Sequence, residues 1–314
     1  MLKMSIEIYK EIALSQVPRC LGLGDRNPDS KTYGCFDRYY WHYKLIDFPN
    51  ARFQEVALLL ALLYKHEFPE NIYFGKKKVF EWIRAAIQFW AKIQNGDGSF
   101  NEAYPFERGF CCTAFSTYAI TETLLLLDKK WELGAVKKAG EWLLKNNNLE
   151  VSNQMASAAL ALYNVYLLTS DEKFLKGYKE KTSLLLKNQS PDGFYLEYDG
   201  YDIGYDSITL GILSRLHKKT KDKKLLDSMR QCLKFLESKI KDNGSFDYSK
   251  TSRKTQFLYP FGFAYLKSPI LNKIEKGLIK NEILNPKWFD DRYVIQITTD
   301  YLETYLEMKN VDGY

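Results

Sequence analysis

The loop of residues 197–207 holds the densest set of groups that could do chemistry. It carries four carboxylates and three tyrosines in eleven residues. One carboxylate, Asp202 or Asp206, is enough to cap the helix that is predicted to begin near Tyr205. Carboxyls that are crowded and partly buried acquire the raised pKa of a general acid. We therefore expect a catalytic acid in this loop, Asp202, with Tyr205 beside it. The substrate-binding candidates of the same loop are Glu197, Asp199 and Tyr201.

A second acidic loop, residues 101–108, precedes an apolar segment that is predicted to be helical. Its carboxylates are Glu102 and Glu107, and either could cap that helix or pair with Arg108. Both could also point into a pocket at the start of the helix. We predict that Glu102 or Glu107 faces Asp202 across this pocket as the second catalytic carboxylate, and that Arg108 contributes to substrate binding.

A third loop, residues 36–52, combines aromatic rings with charged side chains. Aromatic faces beside hydrogen-bond donors suit sugar rings, whose C–H faces stack while their hydroxyls are hydrogen-bonded. A partly buried aromatic cluster with internally satisfied polar groups is the alternative. The candidates for substrate binding are Arg38, Tyr40, Trp41 and Arg52 from this loop, together with Asn153 at the start of a later helix. His42, between two aromatic residues, is a catalytic candidate.

Two chemistries fit these groups. In glycoside hydrolysis, a protonated carboxyl gives its proton to the leaving oxygen while a second carboxylate activates water or attacks the sugar. In a uronate lyase or epimerase, Asn153 or Arg52 would neutralise a substrate carboxylate while a tyrosine or histidine, from Tyr205, Tyr40 and His42, removes a proton. We favour hydrolysis because clustered carboxylates are the most evident feature of the sequence.

These loops are set in a repeat. Residues 94–100 read Gln-Asn-Gly-Asp-Gly-Ser-Phe, residues 189–195 read Gln-Ser-Pro-Asp-Gly-Phe-Tyr, and residues 242–246 read Asp-Asn-Gly-Ser-Phe. A degenerate copy begins at Asn146. The period of roughly 48 residues is typical of a repeated supersecondary unit. The glycine supplies a positive φ for a tight turn, and the following aromatic ring is predicted to pack between neighbouring units.

The hydrophobic pattern indicates two kinds of helix that alternate along the chain. Helices that are apolar on all sides belong to an interior, and amphipathic ones belong to an outer layer. The predicted inner helices are 51–65, 110–127, 153–168, 205–217, 256–266 and 293–306, and the predicted outer helices are 5–15, 76–93, 133–145, 171–187, 223–239 and 271–281. Long loops lead from outer to inner helices, so they gather at the N-terminal ends of the inner helices as the mouth of a pocket.

The repeated phrase resembles the repeat of prenyltransferase and terpenoid-cyclase toroids. The whole plan is also similar to the six-hairpin toroids of glycosidases, unsaturated-glucuronyl hydrolases and heparinase-type lyases. The resemblance implies an all-α fold, an α/α toroid of about six helical hairpins that forms a single domain over residues 1–314. Asp192, Gly193 and Glu197 resemble an Asp-Gly-x-x-x-Glu stretch of the lyases, whose catalytic Asn, Tyr and His are not matched. Residues 288–292 lack the first aspartate of the Asp-x-Asp-Asp stretch of terpenoid cyclases.

Composition limits the partners. The formal net charge is +6, and lysines fall in helix-like or linker stretches without interleaved aromatics, so no nucleic acid is expected. Five cysteines without C-x-x-C spacing and only three histidines predict neither a metal site nor a cofactor. The apolar run of residues 56–64 is about nine residues long, too short for a membrane span. We expect a soluble, cytoplasmic protein that takes an oligo- or polysaccharide, with a mild bias toward anionic ligands.

Two other functions stay open at this point. A toroid with an aromatic, polar mouth could bind a glycan or a partner chain without turning it over. A protein that resembles terpenoid cyclases or prenyltransferases could act on an isoprenoid, but the acidic stretch and the zinc ligands of those families are not present in the sequence.

Overall fold

The computed structural model describes residues 6–311, with side chains as far as Lys309. This part of the chain is helical, and its β pairing is limited to isolated bridges. In chain order the helices are α1 (Glu7–Gly22), α2 (Arg38–Trp41), α3 (Val56–Lys65), α4 (Lys77–Lys92), α5 (Phe110–Leu127), α6 (Leu133–Lys145), α7 (Ser152–Thr169), α8 (Glu172–Lys187), α9 (Ile203–Thr220), α10 (Lys223–Lys239), α11 (Phe261–Tyr265), α12 (Ile270–Ile279) and α13 (Val294–Val311). Two 3-10 helices, Ala51–Glu55 and Pro286–Trp288, precede α3 and α13.

Six inner helices close into a ring. In order they are α3, α5, α7, α9, α11 and α13; each contacts the next, and α13 returns to α3. The outer layer is formed by α1, α4, α6, α8, α10 and α12, which bury one face only. Inner helices such as α7 bury residues on every side. The predicted all-α toroid of six helical hairpins is confirmed, as is the alternation of inner and outer helices.

Two helices differ from their predicted bounds. Helix α1 continues past Pro18, which costs one backbone hydrogen bond, because Val17 and Cys20 on either side are fully buried. Helix α11 has five residues where eleven were predicted. Pro260 disfavours helical geometry in the residue before it, and Gly262 brings α11 directly onto the backbone of α9.

The repeated phrase packs each hairpin on the next one. Gly98, Gly193 and Gly244 have positive φ values of 99°, 100° and 89°. A Cβ on any of them would collide with a backbone carbonyl of the next outer helix, on α6, α10 and α12 respectively. The aromatic residue two positions later is buried in each copy. The phrase is therefore a structural turn that fixes a loop to the neighbouring hairpin, as the pattern predicted.

Two further loops make the same contact in different ways. Gly34 has a φ of 86° and lies on the backbone of Ala85 in α4, so it is a first copy of the turn that lacks the Asp or Asn signal. In the degenerate copy no glycine is present. There the buried Lys181 of α8 donates to the Asn146 carbonyl and to the side chain of Asn147 instead.

Helix α5 is long and apolar enough to cross a membrane by length and composition. However, 72% of it is buried inside the structure, and it packs between α3 and α7. These contacts identify α5 as a core helix of the ring.

We predict that Gly98→Ala lowers the free energy of unfolding by about 2–4 kcal/mol, because it places a Cβ at positive φ against the α6 backbone. Chemical denaturation measures the effect. Gly96→Ala is the matched control in the same turn, since a Cβ there meets nothing within 4 Å. Equal stability of the two variants would contradict the role of Gly98.

Candidate functional site

A cavity of about 290 Å³ opens at the N-terminal ends of the inner helices, on the axis of the ring. Side chains from the 3-10 helix before α3, from α5, α7, α9 and α13, and from the segment before α11 line it. The long loops that precede these helices supply the rest of the wall. The predicted position of the pocket is therefore confirmed.

Glu197 lies in this wall and is held by backbone pairing. The Ser152 N–H donates to the Leu196 carbonyl at 3.1 Å, and the Tyr198 N–H donates to the Glu150 carbonyl at 2.6 Å. This short bridge brings the loop of residues 196–200 alongside the start of α7. The Asn153 amide then donates to Glu197 Oε2 at 2.7 Å. The carboxyl is only 2% exposed, so Asn153 fixes its orientation inside the cavity.

Burial raises the pKa of Glu197 to about 8, although the Arg253 guanidinium and the Asn153 amide act in the opposite direction. No Lys, Arg or His among residues 6–309 forms an ion pair with it. Glu197 therefore holds a proton at neutral pH inside the cavity, which is the state that a general acid needs.

Arg52 and Glu55 form a buried ion pair on the opposite wall. Both belong to the 3-10 helix that Asn50 caps through its side chain. The Arg52 guanidinium lies 4.2 Å from the centre of the Phe115 ring and donates to Cys111 Sγ at 3.2 Å. Burial raises the pKa of the Cys111 thiol to about 12, so the thiol stays protonated and is a poor nucleophile.

Glu102 and Arg292 form a second ion pair at the mouth. Glu102 is buried at the base of the loop before α5, and Arg292 precedes α13, where its guanidinium lies over the Tyr293 ring. This pair joins two loops that are distant in sequence. It also keeps a second carboxylate in the wall beside an arginine.

The floor of the cavity is a buried network on Arg215. Its guanidinium donates to Asp300 Oδ2 at 2.8 Å and, through Nε, to Glu303 Oε2 at 3.0 Å. Asp300 also accepts the N–H of Phe261 at 3.0 Å. The network therefore ties α9, α11 and α13 together. A second cavity of about 330 Å³ lies beyond Arg215 and Glu303, at the other end of the ring.

The structure brings five of the predicted site residues together in the first cavity. They come from four different loops or helix starts, as the toroid requires. These residues are Arg52, Glu102, Asn153, Glu197 and Tyr205.

Asp202, the predicted catalytic acid, lies outside the cavity lining and serves as the cap of α9. Its carboxylate accepts the Tyr205 N–H at 3.1 Å, the Thr251 hydroxyl at 2.8 Å and the Thr255 N–H at 3.2 Å. The side chain is fully buried. Its role here is to join the start of α9 to the loop of residues 247–255.

Glu107, the other predicted carboxylate, also has a structural position. Its Oε2 accepts the backbone N–H groups of Glu102 and Ala103, each at 2.8 Å. The neighbouring Arg108 is exposed and pairs with Asp97 at 3.5 Å. Glu107 therefore shapes the loop that carries Glu102, and neither Glu107 nor Arg108 lines the cavity.

The remaining predicted residues also lie outside the cavity lining. His42 ends the short helix α2, exposed between the rings of Trp41 and Tyr43. Trp41 donates from its indole N–H to the Leu23 carbonyl at 2.7 Å. The other residues of this group are Arg38 and Tyr40 on α2, Asp199 exposed on its loop, and Tyr201 packed against Phe194 and Phe235.

Several cavity residues were not predicted. Glu55, Arg215 and Asp300 are charged residues inside otherwise apolar inner helices or their first turn. Such a charge either faces the axis of the ring, as these three do, or is held within the packing, as the buried Asp206 of α9 is by the Tyr195 N–H. That signal was available in the sequence. Arg253 and Arg292 lie in loops without a comparable pattern.

No family model matches the chain, and no curated protein matches it. Solved structures share its fold over almost its whole length. A polysaccharide lyase has a TM-score of 0.60 at 10% identity and covers 98% of this chain and 99% of its own. An unsaturated glucuronyl hydrolase specific for heparin has a TM-score of 0.63 at 12% identity, covering 98% of both chains. A family 76 glycoside hydrolase (mannosidase) from Bacteroides thetaiotaomicron has a TM-score of 0.58 at 14% identity, covering 98% and 100%.

The chain has the six-hairpin α/α-toroid fold. The structural similarity over 98% of the chain establishes this fold. At identities of 10–14% it does not establish the reaction, which must be argued from the site itself.

We predict that Asp202→Asn lowers the free energy of unfolding by about 2–3 kcal/mol, because an amide cannot accept all the hydrogen bonds that the buried carboxylate accepts. Denaturant titration measures the loss. Asp199→Asn, an exposed carboxylate three residues earlier, is the control and is expected to leave stability within about 0.5 kcal/mol. An Asp202→Asn variant as stable as this control would refute the capping role.

The raised pKa of Glu197 predicts a pH-dependent stability difference. The folded-state pKa is about 8 and the ordinary value is 4.5, so the folded protein binds the proton more tightly than the unfolded chain. The protonated carboxyl therefore contributes on the order of a few kcal/mol to wild-type stability at acid pH, and this contribution is lost as pH rises from 4.5 to about 8. Glu197→Gln lacks this contribution, so its stability relative to wild type should increase between pH 5 and 9. A difference that does not change with pH would show that Glu197 is ionised throughout.

Proposed function

We propose that this protein is a carbohydrate-active enzyme that cleaves a glycosidic bond in an oligo- or polysaccharide, with Glu197 as the general acid. The observation that carries the proposal is the buried, protonated carboxyl of Glu197, oriented by Asn153 and facing a cavity on the axis of the ring. A proton donor that keeps its proton at neutral pH can protonate the leaving oxygen of a glycoside.

Glu102 is the second carboxylate of the proposed mechanism. It lies in the same cavity, where it forms an ion pair with Arg292. An ionised carboxylate is required to activate water or to attack the sugar. Glu55 could serve in the same way, but Arg52 already engages both of its oxygens. The pair Glu197 and Glu102 replaces the pair predicted from sequence, which included Asp202.

The shape and lining of the cavity suit a sugar. The rings of Tyr205, Tyr293 and Phe289 provide stacking surface beside polar groups. The network on Arg215 closes the inner end of the cavity. A saccharide chain would therefore enter from the mouth, with one of its ends first. The solved structures of similar fold are described as a polysaccharide lyase and as glycoside hydrolases, which agrees with a carbohydrate substrate.

Proton abstraction, as in a uronate lyase or epimerase, is less well supported. Burial raises the pKa of Tyr205 to about 12, which makes its phenolate a rare species at neutral pH. The chain has three histidines, all in the described part, and none lines this cavity. His42 is on the surface, and His66 lines the second cavity. Neither Tyr205 nor a histidine of the described residues is therefore matched to this proton abstraction.

The two other functions considered from sequence fit the cavity less well. An isoprenoid carbocation requires an aromatic, weakly charged environment, whereas four arginines line this cavity. Simple glycan binding would not require a buried carboxyl that retains its proton, because an unpaired buried carboxyl costs stability. Saturable binding without any product would nevertheless be the sign of a binding protein.

We predict that Glu197→Gln lowers kcat by about 10²–10⁴-fold, because glutamine keeps the shape of the protonated acid but cannot donate its proton to the leaving oxygen. Oligo- and polysaccharides, neutral and acidic, would be screened for new reducing ends and for the ultraviolet absorbance of an unsaturated product. In the wild type, kcat/KM is expected to fall as pH rises through about 8.

Asp199→Asn is the matched control, since it removes an exposed carboxylate of the same loop that lies outside the cavity. It should retain wild-type activity. Full activity of Glu197→Gln would overturn the assignment of the acid. Unsaturated products from the wild type would show that the reaction is β-elimination and not hydrolysis.

A further inference from the structure

We propose that Arg253 forms an anion-binding subsite beside Glu197, so that the substrate is an acidic oligosaccharide whose carboxylate or sulfate group lies next to the bond that is cleaved. This inference rests on the proposed function and adds the chemical class of the sugar. It is carried by the way charges are paired in the cavity, by the position of the Arg253 guanidinium, and by the contacts that hold its loop.

The ion pairs of the cavity leave one arginine without a carboxylate partner, because two carboxylates lie on Arg215. Four arginines line the cavity. Three of them are neutralised by carboxylates of the same cavity: Arg52 by Glu55, Arg292 by Glu102, and Arg215 by Asp300 and Glu303. Among residues 6–309, Arg253 forms no such ion pair. The carboxyl next to it, Glu197, is protonated at neutral pH. A positive charge therefore remains beside the proposed acid.

The guanidinium of Arg253 is held between two aromatic rings. Its centre lies 4.8 Å from the ring of Tyr198 and 5.2 Å from the ring of Tyr205. Contacts of this kind restrain the guanidinium without neutralising its charge. Tyr198 reaches this position with a φ of 55°, which is unusual for a residue other than glycine. A planar guanidinium is suited to bind a carboxylate or sulfate through two parallel hydrogen bonds.

The loop that carries Arg253 is fixed on both sides of it. Thr251 and Thr255 each donate to the carboxylate of Asp202, the cap of α9. The Thr255 hydroxyl also accepts the N–H of Gly204 at 3.2 Å. The arginine is thus attached to the same helix start that carries Tyr205. Because the subsite is formed before substrate arrives, little ordering of the chain opposes binding.

An acidic substrate would also assist the reaction. Arg253 lowers the pKa of Glu197, in opposition to burial. A bound anion would neutralise Arg253 and bring a like charge near the carboxyl, and both effects favour the protonated acid. Binding of the correct sugar would therefore keep Glu197 protonated at the bond that is to be cleaved.

Calorimetric titration of the Glu197→Gln protein tests this inference without turnover. Three forms of one oligosaccharide would be compared: uronate-containing and sulfated, carboxyl-reduced, and desulfated. We expect the form with the recognised anion to bind at least about 10-fold tighter than the form that lacks it, as for a charge-assisted hydrogen-bond pair. If carboxyl reduction weakens binding, the recognised group is the carboxylate. If desulfation weakens binding, it is the sulfate.

The double variant Glu197→Gln/Arg253→Met should bind all three forms with equal affinity. Methionine keeps an unbranched apolar stem against the tyrosines but has no charge. Glu197→Gln/Lys254→Met is the matched control, because Lys254 is the exposed neighbour outside the cavity lining. It removes the same charge and should keep the preference.

Equal binding of all forms to Glu197→Gln, with cleavage of neutral sugars by the wild type, would overturn the subsite and leave the proposed function standing. A preference that persists in the Arg253→Met protein would also overturn it and would transfer recognition to another arginine. No binding and no cleavage of any form would refute the proposed function, and the subsite with it.

Discussion

The whole site depends on how closely a loop can approach the backbone of the next outer helix. At Gly34, Gly98, Gly193 and Gly244 this approach leaves no room for a Cβ. Each contact ties one hairpin to the next, so the base of each of these loops is fixed by the neighbouring hairpin. Glu102 and Glu197 lie in loops that follow directly from two of these turns. A carboxyl can keep a defined orientation in a loop only when the base of that loop is fixed in this way.

Much of the architecture could be predicted because its signals are local and repeated. A turn recurs with the hairpin, and helices that are apolar on all sides alternate with amphipathic ones. The exceptions depend on contacts between distant segments. The shortening of α11 depends on Gly262 meeting Gly211 on the neighbouring inner helix, α9. The turn at Gly34 is recognised by its position on α4, since it lacks the acidic or amide residue of the other copies. Local pattern carries no information about either contact.

The site was predictable at the level of loops but not of individual side chains. The acidic loop does contribute to the cavity, yet Glu197 faces the interior and Asp202 caps a helix. Which of these two side chains faces the cavity follows from the pairing of residues 150–152 with residues 196–198. This pairing joins segments that are about one hairpin apart in the sequence. By contrast, Glu55 and Asp300 were visible as charges within apolar segments, although Asp206 of α9 gives the same signal and lies outside the cavity lining. The aromatic loop around His42 suggested a sugar platform, but its rings pack against one another and its indole bonds to the backbone.

The division of roles among the carboxyls follows from their partners more than from their burial. Glu55 and Glu197 are both nearly inaccessible to solvent. Arg52 opposes the effect of burial on Glu55 with a full charge at contact distance. Glu197 accepts a hydrogen bond from the neutral amide of Asn153, and the charge of Arg253 acts on it from a greater distance. A dipole cannot replace the hydration of a buried anion as well as a paired cation can. The proton therefore stays on Glu197. An arginine in contact with this carboxyl would lower its pKa, and Glu197 could then no longer act as the proposed acid.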